Sequence, residues 1–399
     1  MTSPAETLEM SQATDAVGEG APRNYWRQVL HDTVAPRAAR FGIGWIAIVA
    51  VAGVFAPLLA NTMPILAKID GRISSPMARA LTVPDITLLV LVGWSLVRLV
   101  RRCAFGRWML EMLILTAVMI PLAILFAHPP DVVDWPHYRN LDRQGEVQWK
   151  VMAPIPYSPY DFQRDIPDAA LQPPTRQHLL GTDAIGGDVC SRMIHACRVD
   201  LSIGLIATGI AVVIGVAIGG LMGYFAGWVD LLGMRLIEIF ESIPTLFLLV
   251  TFVAFFPPNL YMIMAIIGLT TWTSEARFIR AEFLRLRKQD FVQAAISQGL
   301  PLTSVLFRHM LPNGIYPILI TSSFGIASAI LSESTLSFLG IGLSRDPSWG
   351  ALLEQALGAG GTFVWWIALF PGLAIFLTVF GYNLVGEAMR DALDPKLRT

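Results

Sequence analysis

Charged side chains are scarce in this 399-residue chain: Asp, Glu, Lys and Arg make up 15% of it, against about 25% in a soluble domain. Lysine is scarcest, with Lys68, Lys150, Lys288 and Lys396 the full set. None follows a glycine-rich turn, where a P-loop needs its lysine to reach the phosphates, so the sequence holds no nucleotide site and predicts no ATP hydrolysis by this chain itself. A basic run interleaved with aromatics is missing, which excludes nucleic acid as a partner. A zinc-protease motif is missing too, as is a nucleophile-base-acid set for acyl transfer. The three cysteines are Cys103, Cys190 and Cys197. If the segment holding the last two is helical, their separation is ~10 Å of rise, too far for a disulfide. With His195 they match no strong metal-ligand spacing.

What is present is apolar. Hydrophobic residues make up 54% of the chain, and mean hydropathy is +0.57. No single water-soluble core hides that much apolar surface, so the composition predicts a polytopic membrane protein. Its apolar runs are about as long as membrane-spanning helices, which predicts an all-α protein. The net charge of −1 carries no information here, because the distribution of charge, not its sum, sets orientation. Residues 1–40 read as a cytoplasmic tail, polar to 22 and then carrying Arg27, Arg37 and Arg40. A transmembrane region of three spans follows at 41–127, with apolar runs at 41–60, 86–100 and 108–127. The cluster Arg98, Arg101, Arg102 and Arg107, with no acid inside it, belongs in the cytoplasm.

Residues 128–198 are the one long polar segment, read as extracytoplasmic. Its prolines forbid long helices and central strands. Gly181 and the Gly186-Gly187 pair predict a turn there, and Asp188 a helix cap. That turn and cap account for Asp183, Asp188 and His195 more simply than a hydrolytic site does. Further spans follow at 201–225, 236–256, 260–273, 314–331 and 365–386, with an interfacial or re-entrant helix within 347–361. This core covers 199–389, and residues 390–399 are a cytoplasmic tail. Both termini inside require an even number of spans, eight here, or six if the pair at 86–127 does not cross.

Within the core, Gly215, Gly219, Gly223 and Gly227 recur every fourth residue and predict a close helix-helix contact along one face. Glu238, Glu241 and Glu333 stand near or within spans, either at an interface or as ion-coupling groups. The polar interruption at 275–312 carries Arg277, Arg280, Arg285, Arg287, Lys288 and Arg308 against Glu275, Glu282 and Asp290, which marks a cytoplasmic loop. A short helix is expected over 291–297, stopped by Gly299 and Pro301. Alone it would be marginal in water. It is either an ordinary juxtamembrane connection or a helix that docks on a separate cytoplasmic subunit, since no other stretch outside the membrane is long and apolar enough to receive it.

Five pieces, LGTDAIGGDVCSRM at 180–193, EARFIRAEFLRLRKQDFVQAA at 275–295, RHMLPN at 308–313, ESTLSFLGIGL at 333–343 and LVGEAMRDALDP at 384–395, carry a resemblance over residues 179–395. In this order the chain resembles permease subunits of oligopeptide/dipeptide-type ABC importers, the OppC/DppC family, and most nearly its YejE-like branch. The resemblance implies a type I ABC importer transmembrane fold with a six-span core plus an extra N-terminal pair, in a bacterial inner membrane. It implies a second homologous permease, two ATPase subunits or one fused ATPase that carry ATP and Mg, an extracytoplasmic solute-binding protein, and a peptide or peptide-like substrate. No cofactor is implied in this chain. The coupling segment of the family maps here onto Gln293, Ala294, Ala295, Gly299, Arg308, Leu311 and Pro312 as ATPase contacts. Gln293 replaces a usual glutamate, and Gly187 replaces an arginine usual after TDxxG, a change the YejE-like branch shares. The competing class is an ion-coupled carrier or channel using Glu238, Glu241 and Glu333, for which internal repeats are not evident.

Overall fold

The structure is a computed structural model describing residues 25–69, 71–101, 105–126, 134–256, 259–343, 346–357 and 363–393. The expected tails before 25 and after 393, Arg102, Cys103, residues 128–133 and the turn at Pro257 and Pro258 lie outside the described residues. The helices are α1 (Tyr25–Val34), α2 (Arg37–Val54), α3 (Val83–Val100), α4 (Phe105–Phe126), α5 (Val189–Phe225), α6 (Gly227–Glu241), α7 (Thr245–Phe255), α8 (Leu260–Leu286), α9 (Asp290–Ser297), α10 (Ile315–Phe338), α11 (Trp349–Glu354) and α12 (Trp365–Leu393).

Among the described residues five helices are long and apolar enough to cross a membrane: α2, the greater part of α4, α5, α10 and α12. A sixth crossing is made if α6 and α7 count as one span broken by a 77° bend. The eight expected from the sequence add α3 and α8. Of these, α3 has 18 residues, near the short limit for a span, and α8 turns charged from Glu275 onward. The straight span expected at 236–256 is corrected by the bend. Its apolar residues are interrupted by Glu238, Glu241 and Pro244, and a new helix starts after Pro244, because a proline cannot donate to the turn before it.

The longest helix, α5, has 37 residues, about 55 Å at 1.5 Å per residue, and so extends well beyond a hydrocarbon layer of ~30 Å. Its first turn is held by Asp188, whose side chain accepts from the Ser191 N–H at 2.7 Å. The Cys190 and Cys197 thiols on that helix are free. Helices α2, α6, α8 and α10 pack around α5. Along the membrane interior Val199, Ile203 and Ala207 of α5 meet Ile263 and Ile267 of α8, Leu249 and Val253 of α7, and Ala329 and Leu336 of α10. On the other side α2 crosses α12 where Gly42 meets Gly381, with the Trp45 indole donating to Thr378 at 3.0 Å. The short α11, expected to be interfacial or re-entrant, is packed into the bundle: Trp349 is 1% exposed, and the helix lies against α10 and α12.

The α3–α4 hairpin stands apart, with 6% of the apolar stretch of α4 buried. Its arginines are not free of acids as the local sequence suggested, because Arg98 pairs with Glu111 on the returning helix. The pair anchors to the rest through Arg198 of α5, which binds Asp85 of α3.

Outside the spans, the segment expected to be irregular is partly ordered as a sheet. Strands β1 (Leu66–Ile69), β2 (Arg72–Ser74) and β3 (Val147–Val151) run antiparallel in the order β2-β1-β3. β3 is an edge strand without proline, so it escapes the ban that its flanks suggested. The sheet ties residues after α2 to residues before α5. Beside it Arg139 bridges Asp161 and Asp165, and Asp161 also accepts from Thr62 at 2.8 Å.

Hydrogen bonding from Arg139 holds the Asp165 carboxyl below the usual carboxylate range, against a smaller opposing push from desolvation. A carboxyl depressed on folding adds stability above its unfolded value of about 3.9 and loses it as pH falls through the folded value. Limited proteolysis should therefore find residues 134–188 resistant at neutral pH and opening only in acid, whereas Arg139→Ala should be cut at pH 7. Equal resistance of both proteins at pH 7 would show that the bridge does not hold the segment.

Candidate functional site

Three successive members of the four-residue glycine stripe on α5 face α8. A Cβ on Gly215 would stand 2.5 Å from the Glu275 Cβ, one on Gly219 would stand 2.9 Å from the Ala276 Cα, and one on Gly223 would stand 2.5 Å from the Phe283 Cβ. The fourth member of the stripe does not take part. Ala226 at φ 53° ends α5, and Gly227 at φ 54° begins α6 with nothing within 4 Å. The four-residue period continues in sequence across a break in the helix, which is why periodicity alone included it.

Following that contact down α8 leads to the loop. Ile279, Phe283 and Leu286 of α8 form an apolar cluster with Val292 and Ala295 of α9 and with Val305, Met310 and Ile318. The surface on which α9 docks is therefore its own chain, not only another subunit as its marginal length suggested. The sequence hid this surface because the α8 residues that make it are spaced among charges. Of the proposed contact residues, Ala295 is buried (4% exposed) and faces inward, because α9 turns Val292 and Ala295, three apart, to one side. Gln293 and Ala294 are exposed, and the Gln293 amide donates to the Arg287 carbonyl at 2.6 Å.

The end of α9 is fixed by backbone chemistry. Leu300 N–H bonds to Ala295 O at 3.3 Å and Gly299 N–H to Ile296 O at 2.9 Å, the paired pattern of a Schellman stop. Gly299 has φ 73°, a conformation that only glycine adopts without strain. The chain then passes through a π-helical turn, Val305–Met310, a geometry found mostly as short irregularities at functional sites. Arg308 and Pro312 are exposed and Leu311 is half-buried. The outward side of the loop leaves three large apolar side chains bare, Phe291 (41% exposed), Ile296 (40%) and Phe307 (63%), among exposed polar ones such as Gln293 and Arg308.

The three acids of the carrier reading do not share partners. Glu238 pairs with Arg235, and Glu241 pairs with Arg277. Glu333 is fully buried, accepts from Ser337 at 2.6 Å and lies beside Asp200, which accepts from the Trp349 N–H at 3.1 Å. Asp183, Asp188 and His195 are likewise spent separately, on Arg192, on His178 and Ser191, and on the Ala60 carbonyl. Among the described residues no group of His, Cys, Asp and Glu is placed to hold a metal.

Residues 215–399 match the family model described as the inner membrane component of binding-protein-dependent transport systems. The chain is 38% identical over 258 residues to the inner membrane ABC transporter permease protein YejE of Escherichia coli, covering 64% of this chain and 74% of the relative. It is 34% identical over 234 residues to the dipeptide transport system permease protein DppC of Alkalihalophilus pseudofirmus, covering 58% and 77%. Against the oligopeptide transport system permease protein OppC of Bacillus subtilis it is 34% identical over 249 residues, covering 62% and 81%. A helical bundle of apolar spans and relatives of this kind define the membrane permease of an ABC importer, with the type I transmembrane fold, multi-pass in the bacterial inner membrane. More closely, the chain belongs to the oligopeptide/dipeptide family of such permeases.

Gly219→Leu should cost about 3 kcal/mol or more, since overpacking here strikes backbone and not a movable side chain. In detergent-purified protein its thermal transition should fall by several degrees, while Gly44→Leu, at a site with nothing within 4 Å, should leave it unchanged. A Gly219→Leu protein as stable as the parent would mean that α5 and α8 do not need their close approach.

Proposed function

We propose that this chain is the membrane subunit of an ATP-driven importer of peptides or peptide-like compounds, moved by separate ATPase subunits seated on the outer side of the α9 loop. The observation that carries this reading is the two-sidedness of the loop. Val292 and Ala295 lock α9 to the end of α8, while Phe291, Ile296 and Phe307 are left bare on a protein whose sequence holds no P-loop. A helix fixed on one side, with bare apolar side chains on the other, transmits force applied from outside. Contact residues under this reading are Gln293, Ala294, Gly299, Arg308, Leu311 and Pro312 with the bare aromatics and Ile296, and Ala295 serves from within. ATP and Mg²⁺ belong to the ATPase subunits.

The rest of the assembly follows from the same reading. A second homologous permease completes the path, and two ATPases or one fused ATPase lie below. A solute-binding protein delivers peptide on the side of the sheet and residues 134–188. The printed names of the relatives, which are dipeptide and oligopeptide permeases, support the substrate class.

Phe307→Glu and Ile296→Glu should each place a charge in a desolvated contact. In the purified complex both should release most of the ATPase subunits and cut transport-coupled ATP hydrolysis about tenfold or more, with the partner permease retained. Ala295→Glu should instead destabilise the permease itself. Full ATPase retention and coupling in both outer-face variants would overturn the docking reading.

A further inference from the structure

Glu275, which charge distribution assigned to the cytoplasmic loop, is instead buried in the wall of a cavity of about 700 Å³. That volume lies within the usual range for a small-molecule site. The cavity is bounded chiefly by α5, α8 and α10. Ionisable groups buried within a membrane protein's bundle are expensive and tend to mark a pathway. Glu275 forms no ion pair among the described residues, although Arg390 also borders the cavity. Its Oε2 accepts from the Thr321 hydroxyl, which fixes the carboxylate without neutralising it. Its Cβ is pressed against Gly215.

A second group points to the same place. The Thr208 hydroxyl is buried, with the residue 5% exposed, and has no hydrogen-bond partner among the described residues. Leaving such a group unmade costs more than the net value of a typical hydrogen bond. A Cβ built on Gly325 would stand 2.9 Å from the Thr208 methyl, and 3.5 Å from both this hydroxyl oxygen and Glu275 Oε1. The glycine thus keeps open the space on which a carboxylate oxygen and an orphaned hydroxyl converge. Both are acceptors, and an ammonium group offers three donors and no acceptor.

We propose that this cavity is a binding station on the import path and that Glu275, with Thr208, anchors the positively charged amino group of the cargo. The proposal rests on the peptide-import reading and adds the chemical group recognised. It also separates Glu275 from a purely structural role. Glutamine keeps the size, the packing against Gly215 and the bond from Thr321, so Glu275→Gln removes only the charge.

Ser328, which also lines the cavity, is the reporter. In the intact complex with native cysteines replaced, Ser328→Cys is labelled by a maleimide in the presence of a tryptic peptide pool or of the same pool after N-acetylation. The unmodified pool should protect the thiol and the acetylated pool should not. Glu275→Gln should raise the pool concentration needed for half-protection about tenfold, the loss of one charge-assisted contact. If the parent complex imports the pool yet Glu275→Gln shifts nothing, or the acetylated pool protects equally, the anchor is overturned while peptide import stands. If the parent complex imports no peptide, the import reading fails and takes the anchor with it. Should Glu275→Gln fail to assemble, the comparison of the two pools in the parent decides by itself.

Discussion

Two helix backbones come into contact only where no side chain separates them, and the chain meets that condition between α5 and α8. Gly215, Gly219 and Gly223 clear three successive turns of α5, and the main chain of α8 at Glu275, Ala276 and Arg280 fills the space. In lipid, where apolar surface gains little by leaving the solvent, such shape fit supplies much of the association energy. The rest of the molecule is referred to this contact. Gly215 sets the height of Glu275, and Gly223 sets that of Phe283, the residue that carries α8 into the cluster holding α9.

The cavity and the loop therefore lie on one element. α8 has 27 residues, about 40 Å at the helical rise. Near its other end Arg280 grips Asp230 of α6 through two hydrogen bonds, one of them 2.6 Å long, so α6 moves with it. Under the proposed function, an ATPase that shifts the outer face of α9 shifts the wall that carries Glu275. No flexible joint intervenes within α8, and the two sites are connected through packed side chains and continuous backbone, the physical form that such coupling takes.

Local chemistry was legible in the sequence. The extent of α9 and its stop follow from Gly299 and Pro301, the start of α5 follows from Asp188, and the stripe follows from its four-residue spacing. The family resemblance and the membrane class were legible as well. What the sequence concealed depends on partners distant along the chain. The inner face of α9 needs residues from 279 to 318, Arg98 finds its acid thirteen residues later across a hairpin, and the sheet joins strands of three to five residues separated by almost eighty. Gly227 was misread because a period has no knowledge of the positive φ at Ala226. The burial of Glu275 was hidden because counting charge gives a side of the membrane but not the neighbours that cover a side chain.

The central claim is that this chain folds α9 on its own residues and offers only the outer face of that helix to the proposed ATPase. Amide hydrogen exchange on the permease after the ATPase subunits are stripped away tests it directly. The account predicts that the amides of residues 294–297 remain protected, because Val292 and Ala295 are seated on the α8 cluster without any partner. Exchange at those amides as fast as in an unstructured peptide would contradict it, since the helix would then owe its existence to the ATPase.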